Sequence, residues 1–179
     1  MAFFIHQMKS GSPHILLRAF TPNDIPQVAI LCNNKRLWDN LRDLMPHPYY
    51  VKDAEVFINQ TCARENPQQT FAIEYKGILV GCIGLIKQTD VYRLNAEIGY
   101  WIGEPYWNKG IATEAIKLAC YYAFEYLDLI RVYAAVFDFN IASKKALEKA
   151  GFTLEAVFEK AVIKNGQIFD EHRYALLKQ

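Results

Sequence analysis

Two neighbouring segments constrain this chain most. In the run Asn95–Ile102, polar and apolar residues alternate, and it is followed closely by Trp107-Asn108-Lys109-Gly110-Ile111-Ala112-Thr113-Glu114-Ala115. The first segment reads as a strand, with Asn95, Glu97, Gly99 and Trp101 on one face and Ala96, Ile98, Tyr100 and Ile102 on the other. The second reads as a tight glycine loop opening into a helix over residues 110–127. Its apolar stripe is Ile111, Ala115, Ala119, Tyr122 and Tyr126, flanked by Ala112, Ile116 and Ala123. Such a loop aims successive backbone N–H groups at one spot, where the helix dipole adds positive potential. The spot suits an anion the size of a phosphate or pyrophosphate. Glu97, on the strand that feeds the loop, places a candidate general base beside it.

The flanking sequence predicts a mixed architecture. Residues 15–20 read as a strand, and Thr21-Pro22-Asn23-Asp24 as a helix start with Thr21 as N-cap and Pro22 at the first helical position. Ile25, Val28, Ala29 and Cys32 then share a face. Periodicity fades from Asn33 to Lys52, an aromatic, proline-bearing stretch with Trp38, Tyr49 and Tyr50, and Asp53 is expected to cap another helix. Residues 71–75 and 78–86 form a hairpin about Lys76-Gly77, and Arg131–Phe137 is a further strand. Asn140 caps a short helix that Gly151 ends, and residues 155–177 form a hairpin about Asn165-Gly166. Strands outnumber helices and most neighbours are antiparallel. The expected class is α+β, a mixed, mostly antiparallel sheet flanked by helices, with residues 1–179 forming one domain.

Composition narrows the function classes. A net charge of +1 gives no case for broad nucleic-acid binding. No apolar run reaches membrane-spanning length, and the N-terminus lacks the features of a signal peptide. Cys32, Cys62, Cys82 and Cys120 form no Cys-x-x-Cys pair, and Cys82 and Cys120 sit in apolar contexts. The expectation is a cytoplasmic protein with reduced cysteines and no metal. His6, His14, His47 and His172 show no ligand spacing. A Walker A loop, a dinucleotide fingerprint and a His-Glu-x-x-His motif are all missing.

The run from Pro105 to Ala115 resembles the pyrophosphate loop of the GCN5-related N-acetyltransferases (GNAT), and specifically the Pro-x-Trp-x-x-Gly-x-Ala-Thr-Glu-Ala form of the RimJ/RimL branch. Trp107 stands where Gln or Arg is commonest in the wider family. Asn140-Ile141-Ala142-Ser143 with Leu147-Glu148-Lys149-Ala150-Gly151-Phe152 resembles the family's second block. The resemblance implies a GNAT-like fold and transfer of an acetyl group from acetyl-CoA to a primary amine. The acceptor is either a protein N-terminus, as in ribosomal-protein acetylation, or a small molecule. A non-catalytic acyl-CoA-binding module is the alternative.

The resemblance also implies roles. The cofactor set is Tyr100, Trp101 and Ile102 through their backbone, Trp107, Asn108, Lys109, Gly110, Ile111, Ala112 and Thr113 around the phosphates, and Asn140 and Ser143 beside the pantetheine arm and sulfur. Glu97 and Ser143 are the candidate catalytic residues, with Glu97 as base. Many family members carry a Tyr acid just before the Glu-Lys of the second block, where this chain has Leu147. Lys144, Lys145 and Lys149 are candidates for the 3′-phosphate or a solvated face. Trp38, Tyr49 and Tyr50 are the candidate acceptor residues, and His47, between two prolines, is worth following. The chain is expected to act as a monomer or homodimer, without nucleic-acid or membrane partners.

Overall fold

The computed structural model describes residues 7–9, 14–61 and 67–179. Cys62 and His6 lie outside them. Among the described residues, eight strands form one sheet in the order β1-β2-β3-β4-β5-β6-β8-β7. They are β1 (Gln7–Lys9), β2 (Ile15–Arg18), β3 (Thr70–Tyr75), β4 (Ile78–Lys87), β5 (Asn95–Ile102), β6 (Arg131–Phe137), β7 (Thr153–Lys164) and β8 (Gln167–Leu177). Every neighbouring pair is antiparallel except β5–β6, which is parallel. The helices are α1 (Ile25–Cys32), α2 (Lys35–Trp38), α3 (Val51–Val56), α4 (Ile111–Glu125) and α5 (Ile141–Lys149). The class is α+β, as the alternating strands and capped helices require.

Helices cover both faces of the sheet, and each face has its own core. Leu17, Phe71, Ile83, Ile98, Ile116, Ala119 and Leu147 belong to the larger core, built between the sheet, α4 and α5. Val28, Leu31, Cys32, Tyr49, Ala54 and Ile58 form the smaller one under α1 and α3, with Trp101 packed against it. The alternation in β5 therefore works as the pattern predicts: Ala96, Ile98 and Ile102 are buried on the α4 side, while Glu97, Gly99 and Trp101 face the α1 side.

Several local details differ from the sequence reading. The Thr21 start opens a 3₁₀ turn, Pro22–Asp24, before α1 begins. The stretch after Asn33 contains α2, capped by Asn34, whose side chain accepts from the Leu37 N–H at 3.0 Å. Tyr50, not Asp53, is the N-cap of α3; Asp53 is its third residue and accepts from the Tyr50 N–H at 2.8 Å. Tyr126 is 49% exposed, since α4 ends at Glu125 and its apolar stripe ends with it. Both hairpin turns stand as predicted, with Lys76, Gly77, Asn165 and Gly166 all at positive φ.

Candidate acyl-transfer site

The feature that positions the site is a failure of pairing. Strands β5 and β6 pair only through Asn95↔Arg131, Ala96↔Val132 and Glu97↔Tyr133. Beyond Glu97 they part, although β5 runs on to Ile102 and β6 to Phe137. The far half of β5 stays paired with β4 on its other side. Alternate N–H and C=O groups of residues 98–102 thus point into the gap, where a ligand's polar chain can take the place of a strand.

At the end of β5 the chain turns through residues 103–110 into α4. Trp107 is half-buried, and its indole N–H donates to the Ile102 carbonyl at 2.6 Å, tying the loop to the strand end. Gly110 is the N-cap of α4, at φ 75° and ψ 0°, a left-handed conformation that costs a side-chain-bearing residue energy. A Cβ at Gly110 would meet nothing within 4 Å, so the space over the helix end is open. Glu114 is bonded back to the Gly110 carbonyl at 3.3 Å, and the N–H groups ahead of it open the helix without an i−4 partner. Asn108 and Lys109 are exposed at the same turn. Lys109 Nζ is drawn back to the Pro105 carbonyl at 3.1 Å, leaving the cradle to the backbone.

Across the gap from β5 lies α5. Asn140 caps it by accepting from the Ser143 N–H at 3.1 Å. The Ser143 hydroxyl lies 2.7 Å from the Tyr100 hydroxyl, which also donates to the Ser143 carbonyl at 3.3 Å. Burial pushes the Tyr100 hydroxyl up to about 12, against a smaller lowering by Ser143. The expectation for Tyr100 concerned its backbone alone. The contact was not readable from spacing, because 43 residues separate the two partners. Leu147 is fully buried in the main core. Lys144 donates to the Asp138 carbonyl at 2.7 Å, whereas Lys145 and Lys149 are exposed on the surface of α5.

On the opposite face of β5, Glu97 pairs with the Arg42 guanidinium and stands beside Tyr133 on β6. Arg173 lies 5.4 Å and Arg131 6.0 Å from the centre of the Tyr133 ring. Burial raises the Tyr133 hydroxyl, and Glu97 adds to the effect. Gly99, next along this face, is exposed, and a Cβ there would meet nothing within 4 Å. Bare backbone therefore separates Glu97 from Trp101, leaving an approach to the gap.

The three aromatic acceptor candidates do not share one surface. Trp38 is half-buried; its indole N–H donates to the Met45 carbonyl at 2.7 Å, and Lys164 Nζ sits 3.2 Å from the ring centre. The His47 ring lies 5.6 Å from the Trp38 ring, tilted by 31°. Tyr49 is a core residue, 6% exposed. Tyr50 is exposed and lines a shallow apolar depression with Pro26, Ile30 and Val51, which includes none of Glu97, Gly110 and Ser143. Sequence reasoning missed Arg42, Tyr133 and Lys164: Arg42 lies in irregular chain, Lys164 at a hairpin end, and Tyr133 within β6, where its strand was legible but its partners from distant segments were not.

Among the described residues, no three His, Cys, Asp or Glu side chains gather to hold a metal ion, and no helix is long and apolar enough to cross a membrane. Cys32 and Cys120 are buried, and desolvation raises both thiols, Cys120 to about 12.

The model of the acetyltransferase (GNAT) domain matches residues 14–153. The chain belongs to the GNAT family. It is 38% identical over 100 residues to the uncharacterized N-acetyltransferase YoaA of Bacillus subtilis, covering 56% of each chain. It is 28% identical to the spermidine N(1)-acetyltransferase of Escherichia coli K12 over 86% of this chain and 80% of that one. The match thus spans just over half the length of YoaA. Among solved structures, RimL, a ribosomal L7/L12 alpha-N-protein acetyltransferase in complex with coenzyme A, superposes with a TM-score of 0.84 at 19% identity, over 96% of this chain and 97% of that one, a likeness of fold.

Proposed function

We propose that this GNAT protein is an acetyltransferase that moves the acetyl group of acetyl-CoA onto a primary amine by direct transfer. The observation that carries the reading is the parting of β5 from β6 between the Gly110 cradle and Glu97. It offers a through-sheet gap with an anion site at one end and a carboxylate on the far face.

The bound co-substrate supplies an activated thioester, with its pyrophosphate on the N–H groups of residues 109–113 and its pantetheine arm along residues 100–102. Trp107, Asn140 and Ala112 shape that groove. Tyr100 and Ser143 offer hydroxyl donors where the thiol leaves. Backbone N–H groups of β5 that point into the gap polarise the acyl carbonyl as its oxygen gains charge. Glu97 takes the proton of the incoming ammonium, directly or through water. Among the described residues Cys32, Cys82 and Cys120 are all buried, which makes them poor acyl carriers and favours transfer without a covalent enzyme intermediate. In this reading residues 1–179 act as one catalytic domain. Trp38 contributes to the acceptor side through the segment it supports, and Tyr49 contributes only packing.

Thiol release with acetyl-CoA and an amine panel, alongside calorimetry of acetyl-CoA binding, tests the reading. Turnover of at least one amine is expected. Tight acetyl-CoA binding with no turnover of any amine would instead mark a binding module.

A further inference from the structure

We propose that Arg42 selects the acceptor, so that the preferred substrates are amines carrying a carboxylate or similar anion close to the amine, rather than bare amines or polycations. This rests on the placing of the acceptor amine at Glu97.

Arg42 lies in the strap between α2 and α3, and that strap is pinned on both sides of it. Asp39 accepts from the Asn165 side-chain amide at 2.7 Å, and Asp43 accepts from Lys164 Nζ at 2.5 Å. Both partners belong to the tip of the β7–β8 hairpin, so the strap and the hairpin close over the face that bears Glu97. Between the two anchors Arg42 reaches down to the Glu97 carboxylate. The Glu97 side chain is only 16% exposed, whereas the Arg42 side chain is 58% exposed and has room to turn.

The charges on this face already balance. Arg42 pairs with Glu97, Arg173 with Glu171 at 2.6 Å, and Arg131 with Glu155. An ammonium arriving at Glu97 either displaces Arg42 or shares the carboxylate with it. In both cases one positive charge is left without a partner a few ångströms from another, in a partly desolvated site where like charges repel strongly. An acceptor that brings its own anion removes that excess. The freed guanidinium presents a planar fork of donors suited to a carboxylate held beside the amine. A polyamine adds positive charge and cannot make this exchange.

Matched acceptors test the proposal: L-methionine, L-methioninamide, a peptide amide with aspartate at its second position, its asparagine counterpart, and spermidine. Each is assayed by thiol release with the wild type, Arg42→Ala and Arg42→Lys. The wild type should favour each carboxylate acceptor over its amide by at least tenfold in kcat/KM, with spermidine poorest. The two pairs separate a free α-carboxylate from an acidic side chain as the source of the anion. In Arg42→Ala the ratio between partners should collapse toward one through the KM of the carboxylate acceptor, and Arg42→Lys should restore part of it. A wild type that prefers the amides or spermidine overturns the proposal, as does an Arg42→Ala variant that slows both members of each pair equally. If no amine is turned over although acetyl-CoA binds, the transferase reading falls and takes this inference with it.

Discussion

The Tyr100 and Ser143 hydroxyls lie 2.7 Å apart, joining β5 to the first turn of α5 across the mouth of the gap. Leu147, one turn further along α5, is fully buried in the core, so the phenol at this end of the helix comes from Tyr100. With its hydroxyl raised to about 12, Tyr100 keeps its proton throughout the neutral range and serves as a hydrogen-bond donor. If the pair acts as one unit at the leaving sulfur, Tyr100→Phe and Ser143→Ala should each lower kcat, and the double variant should be little worse than the poorer single one. Wild-type rates should show no basic limb from Tyr100 below about pH 10. Additive losses in the kinetic cycle would separate the two hydroxyls.

Gly110 permits a test of the cradle. Its left-handed backbone means that Gly110→Ala should destabilise the fold by about 1–2 kcal/mol. The open space at its Cβ position means that neither alanine nor aspartate clashes with the protein itself. Gly110→Asp should therefore melt much as Gly110→Ala does, yet lose most of its acetyl-CoA affinity, because it adds a negative charge where the pyrophosphate binds. Calorimetry on the two variants makes the comparison, and equal affinities would move the phosphate site elsewhere.

Glu97→Gln keeps the shape of the side chain and discards the base. Acetyl-CoA affinity should hold, while kcat/KM for the amine should fall by roughly 10²-fold at neutral pH. The loss should shrink as rising pH supplies free amine from solution. A rate profile that matches the wild type across pH would leave Glu97 as no more than the partner of Arg42.

Sequence and structure agree best where chemistry is local. The alternation in β5, the Gly110 loop, the Asn140 cap and the Asn165-Gly166 turn were legible because each depends on residues a few positions apart. The cofactor half of the candidate site is built from such pieces, except for the Tyr100–Ser143 contact, which joins residues 43 apart. The acceptor half is not. Arg42 meets Glu97 across 55 residues, and Lys164 meets Asp43 across 121. These contacts follow from strand order, which brings the β7–β8 hairpin over the α2–α3 strap. Tyr49 and Trp38 looked alike as aromatic residues of one irregular stretch; only packing separates a core residue from one that supports a cation.

Acid stability should report on the Arg18–Asp24 pair. Arg18 donates to both Asp24 oxygens at 2.8 Å and to Glu74 at 2.8 Å. Burial works to raise the Asp24 carboxyl, but the bonds from Arg18 and from the Thr21 N–H outweigh it and hold the carboxyl below its ordinary value. A depressed carboxyl gives stability that is present above its unfolded pKa and lost as pH falls through its folded one. The wild type should therefore lose stability below about pH 4. Asp24→Asn should flatten part of that decline and cost about 2–3 kcal/mol at neutral pH, Glu74 still holding the Arg18 charge. Denaturant melts from pH 7 to pH 2 measure both effects.

The clasp between Lys164 and the strap gives the last test. Lys164 is 2% exposed, its ammonium held between the Trp38 ring and the Asp43 carboxylate. A buried lysine needs such partners, and the arrangement closes the hairpin over the segment that carries Arg42. Lys164→Met fills much of the same volume without the charge. It should free the strap and raise the acceptor KM severalfold, with little change in acetyl-CoA affinity, because the Lys164 ammonium contacts Asp43 and the Trp38 ring and not residues 109–113. Lys164→Arg should retain part of the wild-type KM. Trp38→Ala should act in the same direction and cost more stability, about 3 kcal/mol, since the ring packing and the bond to the Met45 carbonyl are both lost. Measuring folding and acceptor kinetics on the same preparations separates a displaced strap from a weakened fold. A well-folded Lys164→Met protein with wild-type acceptor KM would show that closure of the hairpin has no part in holding the amine.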